Sequence, residues 1–280
     1  MCRWLTYIGS PVLVEDLLYR PQNSLIAQSL HSSLGAEPTN GDGFGLGWYG
    51  DRPTPGVFRS TEPAWNDRNL HELAGHIRSS CVVAHVRAST GSPVQQTNCH
   101  PFRRGRWLFA HNGLIHGFHA AKRDLAMAVD PSLYPDIEGT TDTEMFFYLA
   151  LTFGLEDDPP AAVARAVGLI EETGRHHGEP FPMQMTVATT DGESFYGFRY
   201  SSAGRSRSLF HNNDVSTLRE QYPHNPLLSM VADDARLVVS EPLGDLRGAW
   251  REVPESTCVV IRHGQQELRP FTPTALLATG

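Results

Sequence analysis

The chain begins with Met1-Cys2-Arg3-Trp4-Leu5-Thr6-Tyr7-Ile8, a cysteine followed by alternating aromatic, apolar and β-branched residues. Alternation of this kind predicts a β-strand, here from Arg3 to Gly9, that starts almost at the first residue. A secretory signal would instead need a basic start, a continuous apolar run and a small-residue cleavage site. We therefore expect Cys2 to lie on folded structure and to become the first residue once the initiator methionine is removed.

The composition is that of a globular protein with a sizeable core. The chain has 280 residues, 40% hydrophobic and 19% charged. We predict a single domain over residues 1–280, with the motif-bearing part at about 2–155 and later strands completing the fold. The formal net charge of −8 argues against nucleic acid, which needs a clustered basic face. No apolar run approaches the roughly 20 residues that cross a bilayer, so we expect no membrane partner. Four cysteines without a close pair favour a cytoplasmic location.

The grouping of elements indicates the fold class. Strand patterns and helical patterns come in groups rather than in strict alternation, which predicts an α+β architecture with antiparallel sheets. Prolines at Pro53, Pro55 and Pro63 predict a loop after the second strand, and Asn212 to Asp234 is predicted to be a long irregular stretch.

Glycine occupies every second position from Gly41 to Gly47. The run also fits a dinucleotide fingerprint, but prolines follow where the phosphate-binding helix would begin. Alternate glycines in a strand indicate that another backbone or a ligand approaches closely. We adopt that interpretation and predict no nucleotide cofactor.

The sequence gives little support for a metal site or for catalysis by a lysine. His71 and His76 are one residue too far apart for a zinc-protease helix. The histidines around His111 match no zinc spacing, so we predict no metal. Lys122 is the one lysine of the chain, which excludes a Walker phosphate loop and makes Schiff-base chemistry improbable.

Four short motifs together define one reaction. They contain Cys2, Arg87, Asn112-Gly113 and Asp142. A thiol at the start of the chain has its own base in the α-amine, whose pKa is about 8. The Asn112 amide and the Gly113 N–H can form an oxyanion hole. Arg87 and Asp142 supply opposite charges for a carboxylate and an ammonium, which predicts glutamine or a γ-glutamyl compound as the substrate.

These motifs resemble those of the class II glutamine amidotransferases, in the N-terminal nucleophile hydrolase superfamily. The matching segments, in the family's order, are Met1-Cys2-Arg3, Asn40-Gly41-Asp42-Gly43-Phe44-Gly45, His85-Val86-Arg87-Ala88-Ser89-Thr90, Asn98-Cys99-His100-Pro101, His111-Asn112-Gly113 and Thr141-Asp142-Thr143-Glu144. The resemblance implies a four-layer α/β/β/α sandwich of two antiparallel sheets.

The resemblance also implies roles for individual residues. Cys2 would be the nucleophile, Asn112 and Gly113 the oxyanion hole, and Arg87 with Asp142 the glutamine clamp. We further expect Thr90 and His100 in substrate binding, and we expect a supporting group beside the site made up of Asn40, Gly41, Asp42 and Gly43.

Two departures place the chain within the family. Ala88 stands where the large synthase members often carry a bulky aromatic residue, and Asn40 stands where they carry an arginine. The chain is most similar to small stand-alone members that begin Met-Cys-Arg, which include γ-glutamyl hydrolases of thiol metabolism. This similarity predicts hydrolysis of a γ-glutamyl amide through a Cys2 thioester, with release of glutamate.

Several alternatives stay open. The chain could deliver ammonia to a separate synthase, bind an amino acid without catalysis, or act as a metal-dependent hydrolase built on its histidines. A homodimer is a further expected partner. The leaving amine cannot be identified from these motifs, and we expect the loop from Asn212 to Asp234 to contact it.

Overall fold

The structure is a computed structural model that describes residues 2–32, 34, 39–89, 91–225, 228 and 231–275. Its strands are β1 Arg3–Leu13, β2 Phe44–Trp48, β3 Gly56–Ser60, β4 Arg78–Val86, β5 Phe102–Arg104, β6 Trp107–Ile115, β7 Met183–Thr190, β8 Ser194–Ser201, β9 Phe210–Asn212, β10 Arg236–Val239, β11 Trp250–Glu252, β12 Thr257–Arg262 and β13 Gln265–Pro270. Its helices are α1 Val14–Leu18, α2 Leu25–Leu30, α3 Arg68–His76, α4 Phe118–Met127, α5 Asp142–Thr152, α6 Pro159–His176 and α7 Val215–Gln221.

The strands form two antiparallel sheets. The first sheet has the order β11-β9-β10-β1-β4-β2-β3, and the second has the order β13-β12-β8-β7-β6-β5. All the recorded pairings within both sheets are antiparallel. The N-terminal strand β1 lies inside the first sheet between β10 and β4, so residue 2 is anchored next to the core.

Three apolar clusters show how the layers stack. One cluster joins the first sheet to α1, α2 and α3, and another joins the second sheet to α4, α5 and α6. The third fills the space between the sheets, with residues such as Trp4, Leu108 and Ala110. The result is the predicted four-layer sandwich of two antiparallel sheets, and the α+β fold class is confirmed. No helix in the described ranges is long and apolar enough to span a membrane.

The glycines of β2 lie directly against other parts of the chain. A Cβ atom on Gly45 would overlap the carbonyl oxygen of His100, and one on Gly47 would lie 2.7 Å from a methyl carbon of Leu108. The predicted close approach of a second backbone is therefore confirmed. It holds the His100-Pro101 segment directly against β2.

Two predicted loops contain regular structure. The short strand β3 forms between Pro55 and Pro63, because as an edge strand it pairs only with β2 and the prolines fall outside it. Helix α7 lies within the stretch predicted as irregular, and Asp214 caps it by accepting from the backbone N–H of Ser216. Both predictions of purely irregular structure are wrong.

Candidate active site

One pocket of about 540 Å³ contains most of the predicted groups. Cys2, Arg87, His100, Gly113 and Asp142 all line it. They come from the start of β1, the segments after β4 and before β5, the end of β6 and the start of α5. Because these ends of strands and of α5 meet at one edge of the sandwich, the fold brings together residues that are far apart in sequence.

The Cys2 thiol lies against the backbone of Ala88. Its Sγ atom is 3.4 Å from both the Ala88 nitrogen and the Ala88 oxygen. Burial raises the pKa of Cys2, although the Ala88 N–H and the charge of Arg87 act in the opposite direction. A raised pKa favours the neutral thiol, so a thiol in this position needs a base to become a nucleophile.

A buried ion pair fixes the backbone that carries Cys2. Arg3 donates through Nε to Glu241 at 2.6 Å and through Nη1 to the Cys2 carbonyl at 2.8 Å. Ser32 also joins this group, because its hydroxyl donates to Glu241 at 2.7 Å. Because both charges are buried and Arg3 also donates to the Cys2 carbonyl, this pair positions the start of the chain.

Asn112 supplies a donor that lacks a partner. Leu108 and Ala110 on β6 belong to the core between the sheets, and Asn112 shares their face by strand alternation. Its side chain therefore points towards the first sheet, which contributes Cys2. The residue is 2% exposed, and its Nδ2 atom is buried without a hydrogen-bond partner among the described residues. Leaving a buried amide without a partner costs free energy, so this N–H group is available to a ligand that reaches it.

The Gly113 N–H points to the same pocket from the free edge of β6. Ile115, two residues later, donates its N–H to Asp142 away from β7, and N–H directions repeat every second residue along a strand. Strand β5 pairs with β6 only as far as Phe109. A Cβ atom at Gly113 would overlap the Gln184 carbonyl oxygen, so the close approach here requires glycine.

Arg87 is a buried cation surrounded by neutral oxygens. Its Nη2 atom donates to the Ser92 hydroxyl at 2.7 Å and to the Pro93 carbonyl at 3.2 Å, and Nη1 donates to the Asp42 carbonyl at 3.3 Å. The residue is 3% exposed. No carboxylate of the described residues lies within 4.0 Å of it. A buried guanidinium without a counter-ion favours an anionic ligand.

Backbone donors hold the carboxylate of Asp142 in the pocket wall. It is the first residue of α5, and Thr141 caps that helix by accepting from the Glu144 N–H. The carboxylate accepts from the Ile115 N–H at 2.9 Å and from the Thr143 N–H at 2.8 Å. Helix start and strand end thus fix the carboxylate at the pocket wall.

Three buried histidines lie at the pocket or directly behind it: His100 and His111 line it, and His85 is not among the described lining residues. Burial lowers the pKa of His85 to about 3 and also lowers the pKa of His100 and His111, so all three are neutral at physiological pH. The rings of His85 and His100 have their centroids 4.2 Å apart, and the Nδ1 atom of His111 is 3.0 Å from the Thr143 hydroxyl. In the described ranges, no three His, Cys, Asp or Glu side chains are grouped to hold a metal.

The remaining predicted residues lie at different distances from the pocket. Asp42 and Gly43 pair with the Arg87 backbone, and the Asp42 carboxylate accepts from the Ser89 N–H at 2.7 Å. Asn40 is buried against α2 through the Ser29 carbonyl, and Gly41 packs against Trp65. None of the four residues Asn40, Gly41, Asp42 and Gly43 is among the described residues that line the pocket, and Asp42 and Gly43 contact it only through Arg87 and Ser89. Thr90 and Met1 lie outside the described residues.

The expected contact with the leaving amine needs correction. None of the described residues in the stretch from Asn212 to Asp234 lines the pocket. That stretch instead packs at the outer edge of the first sheet, through β9 and α7. Residues from the end of β6 and the start of α4, among them Lys122, line the pocket instead. The sequence predicted no binding role for Lys122.

Comparison with known proteins assigns the family. The model of the class II glutamine amidotransferases matches residues 23–276. The chain belongs to this family. The predicted resemblance and the predicted class of enzyme are thereby confirmed.

Two relatives among the class II amidotransferases extend over almost the whole chain. The probable glutamine amidotransferase DUG3 of Saccharomyces cerevisiae is 34% identical over 97% of this chain and 84% of its own length. The γ-glutamyl-hercynylcysteine sulfoxide hydrolase of Mycolicibacterium smegmatis is 29% identical over 97% of this chain and 100% of its own length.

Solved structures agree with this assignment. A glutamine aminotransferase class-II domain protein from Silicibacter pomeroyi has a TM-score of 0.74 and 33% identity, covering 98% of this chain and 100% of that protein. The glutamine phosphoribosylpyrophosphate amidotransferase of B. subtilis has a TM-score of 0.65 at 16% identity, covering 98% of this chain and 50% of that protein. The second likeness concerns the fold alone.

Proposed function

We propose that this class II amidotransferase hydrolyses the γ-glutamyl amide bond of glutamine or a γ-glutamyl compound and releases glutamate. The observation that carries the proposal is the content of one pocket. A thiol, a buried cation and a carboxylate line it, and the Asn112 amide lies beside it; among the described residues the cation has no counter-ion and the Nδ2 atom of Asn112 has no hydrogen-bond partner. These are the groups required to hold an amino acid by both α-substituents and to attack its side-chain amide.

The first half of the reaction forms a thioester. The Cys2 sulfur attacks the γ-carbonyl carbon, and the thiol proton moves to the α-amine of Cys2, which is exposed once Met1 is removed. Asn112 and Gly113 donate hydrogen bonds to the oxyanion. The C–N bond then breaks, and the leaving amine takes the proton from the α-ammonium.

The second half returns the enzyme to its starting state. The α-amine takes a proton from water as the water oxygen attacks the thioester carbon. The C–S bond breaks, the sulfur recovers its proton, and glutamate leaves. The same two donors stabilise the oxyanion of this step, so a single site performs both halves.

The clamp defines which part of the substrate is recognised. In this proposal Arg87 binds the α-carboxylate and Asp142 binds the α-ammonium. Thr90 and His100 remain expected further contacts to the glutamyl part. In this proposal the clamp does not contact the leaving amine, so it can bind the glutamyl part of several γ-glutamyl compounds.

Delivery of ammonia to a separate synthase would use the same residues. One observation favours free-standing hydrolysis, because the chain covers 100% of the Mycolicibacterium smegmatis relative, which is named as a hydrolase. The four free cysteines of the described chain are compatible with a cytoplasmic location, which we include in the proposal.

The function is tested by incubating the protein with glutamine and γ-glutamyl-ethylamide and measuring released glutamate. We expect turnover without any added protein. Absence of glutamate from both substrates and from γ-glutamyl peptides would exclude the hydrolase. Activity that appears only after a second protein is added would instead support the ammonia-delivering alternative.

Replacing Arg87 with methionine is expected to raise KM for the γ-glutamyl substrate and to lower kcat/KM by about 100-fold. The physical reason is that truncating one partner of a buried charge pair costs about 2–5 kcal/mol. Steady-state kinetics with the purified variant measure the effect. Arg106→Met is the matched control, because Arg106 is at the surface, where it contacts Asp191 and Glu193 and is not among the described residues that line the pocket. An unchanged KM in Arg87→Met would refute the clamp.

A further inference from the structure

One part of the pocket wall lies away from the predicted clamp residues in sequence and combines nitrogen-bearing and aromatic side chains. It comprises His116, Phe118, His119 and Lys122. Gly117, at a φ of 69°, turns the chain from β6 into α4. Phe118 and Lys122 are four residues apart on that helix and therefore lie on one face.

Lys122 carries a charge that no described residue neutralises. It is half-buried, and its recorded neighbour is the ring of Phe118, whose centroid is 5.8 Å from Nζ. It makes no hydrogen bond or ion pair within the described chain. The apolar stem can pack on the aromatic ring while the ammonium remains at the pocket surface. Arg123, the next residue, is exposed and is not among the lining residues.

The charges of the pocket do not balance for glutamine alone. A bound glutamyl group brings one carboxylate for Arg87 and one ammonium for Asp142. Asp142 is the one carboxylate among the described lining residues, and both its oxygens already accept from backbone N–H groups. Lys122 would therefore stay unpaired, and its charge favours a second anionic group on the substrate.

The pocket volume points in the same direction. At about 540 Å³, it falls in the range of about 300–1,000 Å³ that is usual for ligands larger than a free amino acid. Space for a substituent on the leaving nitrogen is therefore present.

We propose that the preferred substrate is a γ-glutamyl amino acid or peptide whose leaving amine carries a carboxylate, and that Lys122 binds this carboxylate. This inference rests on the hydrolysis proposed above. His116 and His119 add ring N–H donors for the same group. Free glutamine, whose leaving group is ammonia, uses none of these contacts and is the poorer substrate.

Matched substrates test the proposal. One pair is γ-glutamyl-alanyl-glycine and its C-terminal amide, and the other is γ-glutamylalanine and γ-glutamyl-ethylamide. We expect kcat/KM to be at least about tenfold higher for the free acid in at least one pair, which is the lower end of the usual effect of a hydrogen bond to a charged group. Lys122→Met should bring that ratio close to one, whereas Arg123→Met should leave it unchanged. Equal values for acid and uncharged partner in both pairs, or an unchanged ratio in Lys122→Met, would overturn the proposal.

A binding measurement separates this inference from the proposed reaction. Calorimetry with the Cys2→Ala variant compares the same acids and their uncharged partners without turnover. Tighter binding of an acid, lost on adding Lys122→Met, would support the carboxylate site even if the wild-type protein released no glutamate. Equal binding of acid and uncharged partner in both pairs would overturn the site, whatever the activity.

Discussion

Replacing Cys2 with alanine is expected to lower the rate of glutamate release by at least about 10⁴-fold. Loss of the sulfur removes the atom that forms the thioester, and no other group in the described pocket is a thiol. Binding of the γ-glutamyl group should persist, because Arg87 and Asp142 are untouched. Glutamate release by coupled assay and substrate binding by calorimetry measure the two effects separately.

The matched control is Cys258→Ala. Cys258 is a buried thiol in the core between the second sheet and its helices, remote from the pocket lining. Its removal should lower stability slightly through the lost packing and leave turnover close to that of the wild type. Cys2→Ala with more than a tenth of wild-type activity would contradict the role of Cys2 as nucleophile.

Replacing Asn112 with alanine should lower kcat by about 10²–10³-fold, equivalent to about 2.7–4 kcal/mol of transition-state stabilisation. KM should change little, because the amide acts mainly on the charge that develops during attack. Folding should be affected only modestly, since the Nδ2 atom has no hydrogen-bond partner among the described residues. Steady-state kinetics and thermal unfolding of the same preparation provide both measurements.

Asn212→Ala is the control for this substitution. Asn212 is also a buried asparagine, but its side chain donates to the Ala235 carbonyl at 3.1 Å and accepts from the Leu237 N–H at 2.7 Å. Its loss should reduce the melting temperature and leave kcat nearly unchanged. If Asn112→Ala reduces stability while kcat stays within tenfold of wild type, its role is structural.

Local signals were enough to locate much of the fold. The alternation after Cys2 identified the first strand, although β1 continues past Gly9 to Leu13 through an irregularity between Ile8 and Val12. At the start of α5, Thr141 accepts from the Glu144 N–H, a helix cap that residues close in sequence form by themselves. Each of these features is decided by nearby residues in the chain, which is why sequence alone could indicate them.

Features that depend on tertiary packing were missed. The flanking prolines predicted a loop where the structure has β3. The strand forms because it pairs with β2 at the edge of the sheet, and the prolines lie outside the paired residues. The contacts of Ser92 and Pro93 with Arg87 depend on a loop conformation that sequence does not specify. The position of Lys122 at the pocket depends on how α4 packs after the turn at Gly117. The sequence showed that Lys122 is the one lysine of the chain, but it did not predict this position.

The central claim is that the sulfur of Cys2 becomes bonded to the γ-carbonyl carbon of the substrate. The most direct measurement is peptide mass spectrometry of the protein after reaction with a γ-glutamyl peptide and acid quenching within the first turnover. We expect the mass of one γ-glutamyl group on the peptide that begins at Cys2, with none on the Cys99 peptide. An unmodified Cys2 in a protein that is releasing glutamate, or a glutamyl group on another residue, would contradict the mechanism.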